Sequence, residues 1–321
     1  MKLKDIYTLA VEMGMRCDVR GEAELKAILA RAEKEYDKLE EGEREFFDRE
    51  TLWNPFHDTR ILVGEGDEEV RVALCGVDME TPEILLADRL REKGEPIDAV
   101  IAHHPEGKAQ AALHGVMDLQ VDLLHRAGVP VNVAEGLMSA RISEVERAIA
   151  PVNHQRAVDA ARLLGIPFLC IHTAAANLVN HFLQNHLDEG RPGTVGDVVD
   201  LLLKIPEYHE ARKMKAGPRV VAGDKKRRAG RILVDMTGGT SGSDRAYEKL
   251  AAAGVGTVVC MHIQEKHRKN AQDNHVNVVV AGHMASDSLG LNLFLDEIEK
   301  QGVRIIPASG LIRCKRGVRP N

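Results

Sequence analysis

Aromatic residues are scarce in this chain: they fill 3% of its 321 positions, and Trp53 is the only tryptophan. So few flat side chains leave little for bases to stack on, which argues against a single-strand nucleic-acid binder. Positive charge is not in excess either, since 43 Lys and Arg against 49 Asp and Glu leave a net charge of −6. Without a basic field, direct contact with nucleic acid or with an anionic membrane is not expected. Long apolar runs are missing as well. No stretch approaches the roughly 18 apolar residues of a membrane span, and Asp5 and Glu12 interrupt what would be the apolar core of a leader peptide. The expectation is a soluble, cytoplasmic protein. Cysteine is sparse and dispersed: Cys17, Cys75, Cys170, Cys260 and Cys314 never form a CxxC pair. They read as reduced thiols, mostly buried, and not as a disulfide or zinc–thiolate framework.

What is present is ordinary globular composition, 44% apolar and 29% charged, in a length that suits two lobes sharing an interface. Residues 1–65 read as a helical N-terminal extension with dense charge. Glu22 with Lys26 and Glu40 with Arg44 at i,i+4, and Glu35 with Lys38 at i,i+3, are spaced to support a helix. Beyond it, short apolar runs alternate with helical stretches. VRVALCGV, DAVIAHH, VPVNVAE, PFLCIHT, RILVDMT, TVVCMH, VNVVVAGH and VRIIPA read as strands. This alternation predicts an α/β fold, two lobes of mixed or parallel sheet flanked by helices. The N-terminal lobe would cover 66–186 and the C-terminal lobe 230–321. The connecting segment 187–229 carries the run Lys225, Lys226, Arg227 and Arg228, which reads as a solvated loop.

In open α/β sheets, ligand sites collect beyond the carboxyl ends of the strands, where helix N-termini point inward. The side chains that follow the strand-like runs are therefore the candidates. They are Asp78 and Glu80; His103, His104 and Glu106; Glu135; His172; Asp235 with a Thr-Gly-Gly loop; His262; and His283 with Asp287. Four strand ends in histidine are unusual for a purely structural core. His103 and His104 should lie on opposite faces of a strand stopped by Pro105, and His283 and Asp287 stand one helical turn apart. Imidazole with carboxylate, and no thiolate, suits Zn, Mn, Fe, Co or Ni. Other motifs carry less. His262 and His267 are five apart, which is not the zinc-helix spacing, and His267 reads as surface. MTGGTSGSD (236–244) lacks the Lys of a phosphate-binding P-loop and reads equally as an anion cradle or a helix cap. No nucleophile elbow is present.

Taken together, the motifs IAHHPEG (101–107), IHTAAANLVN (171–180), MTGGTSG (236–242) and VVAGHMASDSLGLN (279–292) resemble those of the NGG-interacting-factor-three-like (NIF3-like) family. This family is also known as domain of unknown function 34 and carries the label GTP cyclohydrolase 1 type 2 homolog. The motifs fall in family order across nearly the whole chain. The resemblance implies that both lobes form one family domain, that chains assemble into a ring-like homohexamer, and that a dinuclear divalent-metal site lies between the lobes. It places ligands at His103, His104, His283 and Asp287. Family members often carry Glu at the last position, where it bridges the two ions; Asp is shorter by about 1.5 Å, one carbon–carbon bond. The family pattern His-Thr-x-x-Asp departs here: Ala176 stands where a ligand Asp is expected, and Asn177 follows. One or two ions per chain are therefore expected, with Glu106 a candidate to fill the gap.

The functional expectation is metal-dependent hydrolysis of a small substrate, nucleotide-like ones among the candidates. Glu106 would be the general base, and His172 would stand behind the ligands or face the substrate. The alternative is a non-catalytic metal-binding or regulatory scaffold with a degraded dinuclear site. Nothing in the sequence shows the aromatic stacking and basic phosphate ligands usual for a purine nucleotide.

Overall fold

The computed structural model describes residues 1–316, so the last five residues of the expected C-terminal lobe lie outside the described residues. Among the described residues nine strands form two sheets: β1 (Thr59–Val63), β2 (Val72–Gly76), β3 (Ala99–Ala102), β4 (Phe168–Ile171), β5 (Arg219–Ala222), β6 (Arg231–Asp235), β7 (Val255–Cys260), β8 (Asn277–Val280) and β9 (Arg304–Pro307). The first sheet has the order β1-β4-β3-β2-β9 and the second β5-β8-β7-β6. Each is parallel except at one edge, where β1 pairs antiparallel with β4 and β5 pairs antiparallel with β8. This is the expected α/β architecture. The central strands β2, β3, β4 and β8 are buried at every position, which is why they read as unbroken apolar runs.

Two helices, Thr173–Gly190 and His283–Lys300, lie between the sheets. Ala174, Leu178, Leu291 and Phe294 share a core with the first sheet. Val179, Leu183, Ala285 and Leu289 share another with the second. A helix buried on more than one face is apolar nearly all round, and His283–Lys300 buries even Ser286, Ser288 and Asn292. The helix after β8 leads back to β9, so the last described strand joins the sheet that was built first.

Some local expectations need correction. VPVNVAE is not a strand: a helix starts at Val131 and runs to Ile149, burying Ala134, Met138 and Val145 at helical spacing, so Glu135 ends no strand. Its short β-branched alternation is outweighed by this longer apolar face. β1 falls within the stretch read as wholly helical, paired to β4. β5 arises inside the connecting segment, whose polar part also contains the helix Pro206–Lys213 with buried Glu207 and Tyr208. Glu22 and Lys26 do pair, at 2.5 Å. Glu40 and Arg44 do not, because the helix stops at Lys38 and Arg44 turns back to the Leu39 carbonyl. The basic run 225–228 is an exposed loop. Cys75, Cys170 and Cys260 are buried free thiols. Among the described residues no helix is long and apolar enough to cross a membrane.

Candidate metal centre

Three strand ends and one helix start supply the site. Past the end of β3, the amides of His103 and His104 donate to the carbonyls of Gly76 and Val77, which fixes both residues against the end of β2. His172 follows β4 and caps the helix Thr173–Gly190. His283 opens the helix after β8 and puts Asp287 one turn further along. Gly282 makes that entry with φ 118, and a Cβ there would meet the Ala216 carbonyl oxygen at 2.5 Å. All four histidines and Asp287 line one cleft of about 350 Å³.

Asp287 is the centre of the arrangement. It is 1% exposed, and neither carboxylate oxygen has a hydrogen-bond partner among the described residues. Three imidazole Nε2 atoms surround it: His103 at 3.3 Å from Oδ1, with His283 at 3.3 Å and His104 at 3.6 Å from Oδ2. These separations are long for direct hydrogen bonds. They match ligand-to-ligand spacing, because donors about 2.1 Å from a tetrahedral ion stand ~3.4 Å from one another. Two three-donor groups result, His104–His283–Asp287 and His103–His104–His172, each with its ligand atoms within 4.8 Å. The buried His and Asp cluster fits a metal ion.

The other ring nitrogens are committed elsewhere. His103 Nδ1 donates to the Ile171 carbonyl at 2.9 Å, His104 Nδ1 to Asp78 at 2.6 Å, and His172 Nδ1 to Asp58 at 2.7 Å. Each bond fixes a tautomer and turns Nε2 toward the cleft, as outer partners of metal-bound histidines do. Burial alone would raise the Asp287 pKa, yet the imidazoles of His103, His104 and His283 hold it well below the carboxylate range. Burial lowers His283 to about 4 despite Asp287. For His104, Asp287 and Asp78 outweigh burial and raise it to about 9.

The structure therefore brings His103, His104, His172, His283 and Asp287 together. The two adjacent histidines do not diverge to opposite faces: the chain bends after Ala102, and their ring centroids are 5.3 Å apart. Glu106 lines the same cleft but belongs to neither donor group. Burial and the charge of Glu80 push its pKa up to about 7. His262 also lines the cleft, its ring 4.9 Å from that of His283. His267 is not surface: it is half-buried at the cleft wall, with Nε2 3.0 Å from the Gly242 carbonyl. The 236–244 loop caps no helix, since the next one begins at Ala246 with no side-chain cap. Gln120 ties the Gly238 and Thr240 carbonyls instead.

Ala176 lines the cleft and offers no donor. Asn177 does not replace the missing carboxylate, because its amide donates to Gly14 and Asp18 and accepts from Thr237. Asp58 was missed in the sequence. It sits in FHDTR, 114 residues from His172, and no local pattern marks it as a partner.

Two such sheets meet at a shared histidine–aspartate cleft in an α/β architecture. No family model and no curated protein matches the sequence. Among solved structures, a NIF3 superfamily protein from Sphaerobacter thermophilus aligns at TM-score 0.71 and 27% identity, over 90% of this chain and 98% of that one. Reduced HcgD from Methanocaldococcus jannaschii shares the fold at TM-score 0.52 and 15% identity, over 82% and 93% of the two chains. These likenesses bear out the NIF3-like resemblance that the motifs carry.

Proposed function

We propose that this protein binds divalent metal through His103, His104, His283 and Asp287 and uses it to hydrolyse a small substrate in the cleft. The observation that carries the reading is Asp287, a buried carboxylate without a hydrogen bond and ringed by three Nε2 atoms at ligand spacing. Leaving both oxygens of such a group unmet costs several kcal/mol, on the order of the penalty for a buried charge, unless a cation fills the gap. A bound divalent ion would supply a water of pKa about 7 and polarise the bond under attack. Glu106, at the same cleft and with its pKa pushed to about 7, has the protonation behaviour of a general base. Assembly into a homohexamer, which the family resemblance implies, would restrict entry further.

The lining supports a small substrate of low negative charge. Among the described residues it contains no Lys or Arg, while Asp78, Glu80, Glu106 and Asp235 all face it. A triphosphate would meet carboxylates without a cationic side chain to offset them, so the cyclohydrolase label gains no support from this cleft. The test is turnover of neutral ester and amide, phosphoester and nucleotide substrates against added Zn, Mn, Fe, Co and Ni. Activity should follow the metal and vanish in His283→Ala; turnover indifferent to both would end the hydrolase reading. Ala176 favours a second reading, a non-catalytic metal-binding scaffold. That reading expects bound metal with no turnover in any of these assays.

A further inference from the structure

We propose that His172 is a metal ligand in this chain, taking over from the carboxylate missing at 176, and that Asp58 is the residue that positions it. The proposal rests on the metal-binding reading above and adds one donor to it. His172 stands one helical turn before Ala176 on the same helix start, so both positions address the same part of the cleft. The small side chain at 176 leaves that part to the imidazole. The His172 ring centroid lies 4.9 Å from that of His103 and 5.8 Å from that of His104, and the three residues form one of the two donor groups.

The surroundings of His172 are those of a prepared ligand. Asp58 is fully buried, and its carboxylate is divided between His172 Nδ1 and Thr173, whose hydroxyl donates to Oδ2 at 2.6 Å and whose amide donates to Oδ1 at 3.3 Å. The imidazole is thus held from behind with Nε2 as its free nitrogen. A carboxylate–histidine pair directed at a metal is a recurrent outer arrangement, and its loss typically costs 10- to 100-fold in affinity.

The proposed ligand sets share the donor atoms between two ions, with His104, common to both donor groups, given to one of them. His104 has one free nitrogen, since Nδ1 is committed to Asp78, and cannot serve both groups at once. Asp287 Oδ2 faces His104 and His283, whereas Oδ1 faces His103. One ion would be held by His104, His283 and Oδ2, and the other by His103, His172 and Oδ1. Each receives two imidazoles and one carboxylate oxygen. With imidazole in place of a carboxylate, the second position carries one negative charge fewer. It should bind more weakly than the same position with Asp at 176 and prefer nitrogen-seeking Zn or Co over Mn.

The experiment is cobalt(II) titration of the full chain, read by bound metal after desalting and by the visible d–d spectrum, with folding checked by circular dichroism. The parent should take up two equivalents. His172→Ala should retain one, and Asp58→Asn should weaken the second ion about 10- to 100-fold. Adding Ala176→Asp to His172→Ala should restore the second equivalent, which a folding defect would not allow. Two equivalents with an unchanged spectrum in His172→Ala, or a parent that takes up only one, would overturn the role of His172. A parent that binds no cobalt, zinc or manganese would instead remove the metal-binding reading itself.

Discussion

At the scale of single residues, the site depends on which nitrogen each histidine leaves free. The sequence shows that His103, His104, His172 and His283 end strands or open a helix. It does not show that Ile171, Asp78 and Asp58 occupy Nδ1 of the first three. Those partners come from segments up to 114 residues away, and a strand-end rule says nothing about them. Asp287 was legible because it stands four residues after His283 in a helix start. The convergence of His103 and His104 was not, because alternation holds only while a strand remains extended and the chain bends after Ala102. Glu106 carries the sharpest test at this scale. Glu106→Gln removes the proton acceptor without touching a donor group, so bound metal should stay at the parental level while kcat falls by roughly 10²- to 10⁴-fold. Loss of metal in that variant would show Glu106 to be a ligand instead.

At the scale of elements, strands were easier to read than their partners. β2, β3, β4, β6, β8 and β9 fall within runs read as strands and β7 overlaps one; β2, β3, β4 and β8 were plainest, because strands covered on both faces leave no polar gaps. β1 and β5, the antiparallel edges, were overlooked: Arg219 and the outer half of β1 are less buried, and both lie in charged surroundings. Packing between helices was also beyond the sequence. Gly290, in His283–Lys300, approaches the helix Thr173–Gly190 so closely that a Cβ would meet the Ala175 carbonyl oxygen at 2.4 Å. That contact sets the separation of the two helices that carry His172, His283 and Asp287. Backbone cannot move aside as a flexible side chain can, so Gly290→Ala should destabilise the fold by about 1–3 kcal/mol in guanidinium unfolding. A variant as stable as the parent would mean that the helices separate without penalty.

At the scale of the whole molecule, the cleft joins two sheets that the sequence presents as separate lobes. His103, His104 and His172 come from the first sheet, His283 and Asp287 from the helix that leaves the second and returns to β9 in the first. That return was not foreseen, since a final strand such as RIIP looks the same whichever sheet accepts it. The α/β class and the order of motifs were legible, because periodicity and strand ends are local. Which sheet receives an edge strand depends on contacts that are not. The central claim is that the buried carboxylate at the junction exists to hold metal, and metal content per chain tests it most directly. Protein purified without chelator, beside Asp287→Asn, should be measured by elemental mass spectrometry. The account predicts one to two equivalents of a divalent transition metal in the parent, as its donor groups allow, and less than about a tenth of that in the variant. A parent that stays empty after reconstitution, or a variant that keeps the full complement, would contradict it.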